Sequence, residues 1–148
     1  MTGTAPSASG ARLTGDDLQH AVAWHAALRT LVPYAGVRSV TVEANRAGNV
    51  DDVVVGKTTE PDDYIQVKAT VAAKLPATTG WLTQPSRSGG LSILRRFHRA
   101  WNDLSRDGAH PALMLITNRS IDPHDPILTL RDRNDCVAER LRRCPVRG

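Results

Sequence analysis

Acidic, amide and ammonium side chains recur at three nearby places in the sequence. Glu43 ends a run rich in Val and Thr, and the pair Asp51-Asp52 follows shortly after it. Gln66 and Lys68 stand further on, with one residue between them. Carboxylate and amide oxygens suit Mg²⁺, which keeps several waters, and a lysine can orient an attacking water or offset charge on a phosphorane. These residue types predict cleavage of a phosphodiester with Mg²⁺ or Mn²⁺ as cofactor.

Three predicted strands must bring these side chains together. Runs rich in Val, Ile, Thr and Tyr, separated by turn signals, occupy 37–43, 50–55 and 63–69. An antiparallel meander is the simplest arrangement. Alternation along the third run puts Gln66 and Lys68 on one face. If the second and third runs pair, Asp52 lies beside Gln66, and the first run brings Glu43 to the same end.

Each of these residues also has an ordinary structural interpretation. The Asp51-Asp52 pair is typical of turn chemistry, and Glu43 can cap a turn. Lys68 can be a solvated residue on a strand edge. Their occurrence on adjacent strands, with 13 residues between Asp52 and Gln66, favours the chemical interpretation.

Two amphipathic helices are predicted to flank the strands. Apolar residues recur at helical spacing over 16–31, with Thr14 as the N-cap. A second helix over 91–105 has apolar residues on one side. Its opposite side carries basic residues that can follow the phosphates of a nucleic acid. They are Arg95, Arg99 and Arg106.

The remaining segments complete an α/β order. Residues 71–90 form a long connection rich in Pro, Thr, Ser and Gly, which predicts a flap beside the substrate. The run 112–117 is apolar throughout and predicts a strand covered on both faces. A short basic helix is expected near 135–143, and residues 1–12 are expected to be disordered. The order αβββαβ predicts a central mixed sheet flanked by helices, followed by the last helix.

Composition restricts the class of protein. A length of 148 residues suits one core, and 23% charged with 41% hydrophobic residues excludes wholesale disorder or a collagen repeat. The first half, 1–74, carries 7 basic and 8 acidic residues, whereas 75–148 carries 12 and 7. A basic half indicates either a solvated surface or a polyanionic partner. Cys136 and Cys144 lack metal or disulfide spacing, and no membrane span or leader is visible, so a cytoplasmic protein with free thiols is expected.

The ordered motifs resemble those of a known superfamily. They are Gly15-Asp16-Asp17-Leu18-Gln19, Val42-Glu43, Asn49-Val50-Asp51-Asp52-Val53, Gln66-Val67-Lys68 and the strand end Thr117-Asn118-Arg119. Together they resemble the PD-(D/E)XK restriction-endonuclease superfamily. Within it, the chain is most similar to the double-stranded DNA endonuclease domain of bacterial anti-phage effectors associated with cyclic-oligonucleotide defence. The resemblance runs from about residue 13 to residue 120.

The resemblance implies a role for each matching position. Asp52 would be the metal-binding acid, with Asp51 as the less favoured choice. Gln66 would stand at the usual Asp or Glu of the (D/E)XK element, and Lys68 would be its catalytic lysine. Two upstream positions would match the family's acidic residue and first-helix glutamine, which contact metal or DNA. They are Glu43 and Gln19.

Two departures from the superfamily pattern concern the metal. No proline precedes Asp52, and Gln66 replaces an acidic ligand. An amide is a weaker ligand for a divalent cation than a carboxylate. Glu43 therefore becomes more important as a ligand.

The resemblance implies an Mg²⁺-dependent endonuclease of double-stranded DNA over 13–148, with little sequence specificity. In the resembled family this module is joined to a sensor or NTPase domain, so a larger effector that is active as an oligomer is expected. The main alternative is a catalytically inactive module that uses the same fold for DNA binding or assembly. A third possibility is a nuclease that acts on RNA, because phosphate chemistry does not distinguish the two backbones.

Overall fold

The computed structural model describes residues 8–44, 50–71, 75–86, 89–106 and 108–130. Its helices are α1 (Ala8–Leu28), α2 (Thr79–Thr83) and α3 (Ile93–Leu104), with a 3₁₀ turn, Arg29–Leu31, after α1. Its strands are β1 (Val37–Val42), β2 (Val53–Lys57), β3 (Asp63–Lys68) and β4 (Ala112–Thr117). The predicted basic helix near 135–143 and the two cysteines lie outside the described residues.

The strands of the described region form one mixed sheet in the order β1-β2-β3-β4. β1 pairs antiparallel with β2, and β2 with β3, as the predicted meander requires. β4 runs parallel to β3, with Gln66 opposite Leu115. A parallel neighbour needs a crossover, and the segment with α2 and α3 provides it. The predicted α/β fold with an αβββαβ core is confirmed.

Apolar side chains cover both faces of the sheet. On one face Val53, Ile65 and Val67 pack with Ala26 of α1. On the other face Val54 and Tyr64 pack with Ala100 of α3. Because alternate residues of a strand point to opposite faces, β2 and β3 contribute to both apolar clusters. Both strands are accordingly buried along almost their whole length.

The first helix begins earlier than predicted. It starts at Ala8, so Thr14 lies inside the helix rather than at its N-cap, and the disordered tail predicted over 1–12 is wrong from Ala8 onward. Ala, Arg and Leu residues are frequent between Ala8 and Leu13, and they are strong helix formers. Once the later turns are packed on the sheet, extending the helix needs no new nucleus. Residues 1–7 lie outside the described part.

Two further boundaries differ from the predictions. β2 begins at Val53, so Asp51 and Asp52 precede the strand instead of lying inside it. Aspartate has a low strand propensity because its side chain competes for backbone hydrogen bonds. β4 is an edge strand, and none of its residues is fully buried, so the predicted coverage of both its faces is incomplete. Its apolar sequence is explained by contacts on both faces, through Leu113 toward α3 and Ile116 toward α1.

The buried stripe of α3 is rotated relative to the predicted one. Ile93 and Ala100 are buried, whereas Leu94 and Trp101 are 48% and 43% exposed. Phe97 lies against the core between them. Phe97 and Leu104 pack against the core, so the buried stripe overlaps the predicted apolar face without coinciding with it.

The long connection is anchored at its middle, which contradicts a free flap over the whole of 71–90. It contains α2, and Asp125 of a later turn holds the start of that helix. The Asp125 carboxylate accepts hydrogen bonds from the Thr79 N–H at 2.5 Å and the Thr79 hydroxyl at 2.7 Å. It also accepts from the N–H groups of Ile127 and Leu128. One carboxylate therefore joins two segments that are 46 residues apart.

In the described part of the chain, every helix is too short or too polar to cross a membrane.

Asp125→Asn is expected to lower the melting temperature by several degrees, because the N–H donors of Thr79, Ile127 and Leu128 lose a charged acceptor. These hydrogen bonds hold the pKa of Asp125 well below its usual range. The stabilisation by the carboxylate is therefore present above the unfolded pKa of about 3.9 and is lost as the pH falls through the lower folded pKa. Thermal melts of both proteins from neutral to strongly acidic pH measure the difference.

Asp122→Asn is the matched control, since the Asp122 side chain accepts one described hydrogen bond, from the His124 N–H. Equal melting temperatures for the two variants across the pH range would contradict the anchoring role of Asp125.

Candidate functional site

Asp52 is the acidic residue that lies against Gln66. Its Oδ2 accepts a hydrogen bond from the Gln66 side-chain amide and another from the Val67 N–H at 2.7 Å. The pairing of Val53 with Ile65 places Asp52 at this position. In the described residues, both hydrogen bonds given for the Asp52 side chain fall on Oδ2.

Asp51, the residue before Asp52, is the alternative candidate for the metal-binding acid. It is 6% exposed, and its carbonyl accepts a hydrogen bond from the Ala44 N–H at 3.3 Å. Gln66 and Val67 donate their hydrogen bonds to Asp52 instead. Of the two acids, the structure thus brings Asp52 to the predicted Gln-x-Lys element.

Glu43 and Gln19 both contact the backbone of Asp52. The Glu43 N–H donates to the Asp52 carbonyl at 2.9 Å, and Gln19 Nε2 donates to the same carbonyl at 3.5 Å. Glu43 adopts a left-handed φ of +52° and is exposed. Such a conformation is uncommon for a residue other than glycine. These contacts position the turn that presents the Asp52 side chain, and they place the Glu43 backbone at the predicted end of the sheet.

Lys68 ends β3 on the same face as Gln66. Its carbonyl accepts a hydrogen bond from the Thr117 hydroxyl at 2.6 Å, which holds the end of β3 to β4. Burial lowers the pKa of the Lys68 ammonium, the Asp52 carboxylate opposes that shift, and the positive charge of Arg96 adds to it. The ammonium therefore lies within the electrostatic reach of one acid and one guanidinium.

Arg96 is a site residue that the sequence interpretation missed. It lies on α3 one turn after the buried Ile93, and it is half-buried. The doublet Arg95-Arg96 was the available signal, but the predicted helix face assigned only Arg95 to the basic side. Because the buried stripe is rotated, Arg96 turns toward Lys68 instead of toward solvent.

The arginines that were predicted as a basic face are exposed. Arg95 and Arg99 lie one turn apart on α3, on the side away from the core. Arg106 forms an ion pair with Asp103 at 2.5 Å. Arg95 and Arg99 therefore keep more positive charge for a polyanion than Arg106 does.

A cleft of about 310 Å³ opens beside Lys68, between the end of β3, α2 and the start of α3. We call it the Lys68 cleft. Arg96 and Trp81 form two of its walls. The segment that the sequence predicted as a substrate-side flap thus contributes a wall of this cleft.

The donor set available for a metal ion is small. In the described residues, no group of three or more His, Cys, Asp or Glu side chains is placed to hold a metal ion. The predicted ligands Glu43, Asp51 and Asp52 are therefore not assembled as an acidic cluster. The Asp52 carboxylate and the Gln66 amide remain. These are hard oxygen donors, and they fit an Mg²⁺ ion that keeps most of its coordinated waters.

Comparisons with known proteins add no assignment. No protein-family model matches the chain, and no curated protein matches it at a significant level. The arguments for its function therefore come from its own motifs and from the geometry of the site.

Proposed function

We propose that this chain is a metal-dependent endonuclease that hydrolyses phosphodiester bonds of double-stranded DNA. It belongs by this proposal to the restriction-endonuclease-like superfamily and acts in the bacterial cytoplasm as an effector nuclease of anti-phage defence. One observation carries the proposal. Asp52 is held against Gln66, and Lys68 follows two residues later on the same face and opens on a cleft.

The charges of the site suit an attack on phosphate. Lys68 brings a positive charge that orients a water and offsets the negative charge that develops on the phosphorane. Asp52 favours the charged form of Lys68. Mg²⁺, when bound by Asp52 and Gln66, would supply a Lewis acid and lower the pKa of a coordinated water. Gln66 also fixes the Asp52 carboxylate, so the orientation of the acid precedes substrate binding.

The surface of α3 supports a polyanionic substrate. Arg95 and Arg99 are exposed and one turn apart, which is a spacing that can follow a phosphate backbone. Such contacts position a duplex without reading its sequence. They agree with a nuclease of low sequence specificity that is delivered by a sensor or NTPase domain and activated in an oligomer.

One observation favours a second candidate function, an inactive module that binds DNA or assists assembly. Gln66 uses its N–H donor on Asp52, and the described residues contain no cluster of three acidic, His or Cys side chains suited to a metal. An Asp52–Gln66 pair without a metal would be a purely structural feature. DNA binding without cleavage at any Mg²⁺ or Mn²⁺ concentration would support this candidate.

Asp52→Asn is expected to abolish plasmid cleavage and weaken Mg²⁺ binding together, because the variant loses the charged ligand while it keeps an acceptor oxygen. Lys68→Ala should keep metal binding and the duplex binding that Arg95 and Arg99 provide, whereas cleavage falls by about 10²–10⁴-fold, the usual loss for one acid-base or electrostatic group. Cleavage by the parent chain should require Mg²⁺ and stop in EDTA. Plasmid nicking, calorimetry with Mg²⁺ and melting curves measure these effects.

Arg38→Gln is the control, because Arg38 is an exposed cation at the opposite end of β1. Equal cleavage by the parent chain, Asp52→Asn and Lys68→Ala would contradict a nuclease centre at this position. Parallel assays on duplex DNA and duplex RNA of one sequence identify the substrate, and preferred cleavage of RNA would overturn the assignment to DNA.

Charge reversal at Arg95 and Arg99 should weaken duplex binding on every sequence alike. Each lost phosphate contact should reduce the slope of log K against log salt by about one unit. Arg106→Glu should have a smaller effect, because Asp103 already pairs with Arg106. Binding titrations at several salt concentrations provide the slopes, with Arg38→Glu as the control. An unchanged slope in the double variant would make α3 an ordinary surface helix.

The pKa of Lys68 should lie below the ordinary lysine value and respond to its two neighbours in opposite directions. Asp52→Asn should lower the pKa further, and Arg96→Gln should raise it, because these residues favour and oppose the ammonium, respectively. NMR titration of isotopically methylated lysines in EDTA reports the value directly. Since the proposal needs charged Lys68, cleavage should fall as the pH rises through this lowered pKa. A Lys68 pKa that neither variant moves would contradict this electrostatic arrangement.

A further inference from the structure

We propose that the Lys68 cleft is a subsite for one unstacked nucleotide, with the phosphate between Lys68 and Arg96 and the base against Trp81. This inference rests on the proposed function and adds the class of substrate. It implies that the chain prefers DNA in which a nucleotide has already left the stack. A duplex with an unpaired nucleotide would then be a better substrate than a perfectly paired one.

The charges that line the cleft select an anion. Lys68 and Arg96 are its two cations, and no acidic side chain of the described residues lines it. Leu91 and Ile93, at the start of α3, form part of the wall. The positive end of the dipole of that 12-residue helix therefore lies beside the two cations. A phosphate group is the anion that the proposed reaction brings to this place.

Trp81 provides a fixed surface for a base. Its backbone N–H donates to the hydroxyl of Thr78, the N-cap of α2, at 3.0 Å. The Arg119 guanidinium lies over the indole at 4.8 Å from the ring centroid. Arg119 lines the neighbouring cleft with Trp81 and does not line the Lys68 cleft. Trp81 thus lines both clefts, and Arg119 contacts its indole from the neighbouring one.

Polar groups near Trp81 can contact the edge of a base. Gln84 and Ser86 line the same cleft. An amide offers both donors and an acceptor, and a hydroxyl can do either. Aromatic stacking tolerates every base, so this wall recognises a base without demanding one sequence.

The size of the cleft limits what can enter. A volume of about 310 Å³ lies at the lower end of the range for small-molecule sites, about 300–1,000 Å³. It suits a single nucleotide and excludes a base pair. A nucleotide must leave the stack to enter such a pocket, and this costs least where the base is already unpaired. The preference for an unpaired nucleotide follows from this cost.

The first experiment measures binding by calorimetry in EDTA, with three probes that separate base from phosphate. The probes are deoxyadenosine 5′-monophosphate, deoxyadenosine and inorganic phosphate. The monophosphate should bind more tightly than either of the others. Arg96→Gln should weaken the binding of the monophosphate and of phosphate but leave the binding of deoxyadenosine unchanged. Trp81→Leu should weaken the binding of the monophosphate and of deoxyadenosine but leave the binding of phosphate unchanged. Each loss should be roughly tenfold, as for one stacking or phosphate contact.

Two further variants serve as controls that distinguish the loss of a contact from misfolding. Trp81→Phe keeps an aromatic surface and should retain most of the affinity for the monophosphate. Arg38→Gln should leave the affinity for all three probes unchanged. Monophosphate affinity no greater than that of phosphate would overturn the inference. The inference would also be overturned if Trp81→Phe and Trp81→Leu bind the monophosphate with equal affinity while the melting curves show that both variants are folded.

The second experiment compares cleavage of a paired duplex with that of the same duplex carrying one unpaired nucleotide. Faster cleavage near the unpaired position, lost in Trp81→Leu and retained in Trp81→Phe, is the expected result. Cleavage without this preference and without monophosphate binding would overturn the subsite and leave the nuclease intact. Monophosphate binding with the predicted variant pattern but no cleavage would keep the subsite and overturn the nuclease.

Discussion

The site depends on the hydrogen bonds that the Asp52 carboxylate accepts from β3. Asp52 stands before β2, yet its Oδ2 accepts hydrogen bonds from the side chain of Gln66 and the backbone of Val67 on β3. A carboxylate in a half-buried place needs such donors, because an unpaired charge there would be costly. The same contacts orient the acid, join the ends of two strands and place a negative charge near Lys68. Structure and chemistry therefore depend on one side chain.

The electrostatics of Lys68 result from three separate segments of the chain. Asp52 comes from the turn before β2, Lys68 from the end of β3, and Arg96 from α3. Burial and Arg96 disfavour the ammonium, while Asp52 favours it. A positive group that is only partly balanced attracts an anion, and the cleft beside it is open for one. Under the proposed function, this balance draws a phosphate toward the Asp52–Gln66 pair.

The Trp81 wall depends on an anchor far from the charged residues. Asp125 binds the start of α2 through Thr79, and α2 carries Trp81. Arg119, just after β4, holds the indole from its other side. A change at Asp125 therefore affects stability first and the shape of the cleft as a consequence. The long connection supports the site because it is anchored, rather than because it moves as a whole.

Local patterns in the sequence were sufficient for the strand meander, the αβββαβ order and the common face of Gln66 and Lys68, since each follows from alternation or helical spacing over a few residues. The tertiary structure alone decided the rest. It placed Asp52 against Gln66, turned Arg96 toward Lys68 by rotating the buried stripe of α3, put β4 at the edge of the sheet, and joined Asp125 to α2. These outcomes depend on contacts between residues that are distant in the sequence, and local periodicity carries no information about which distant groups meet.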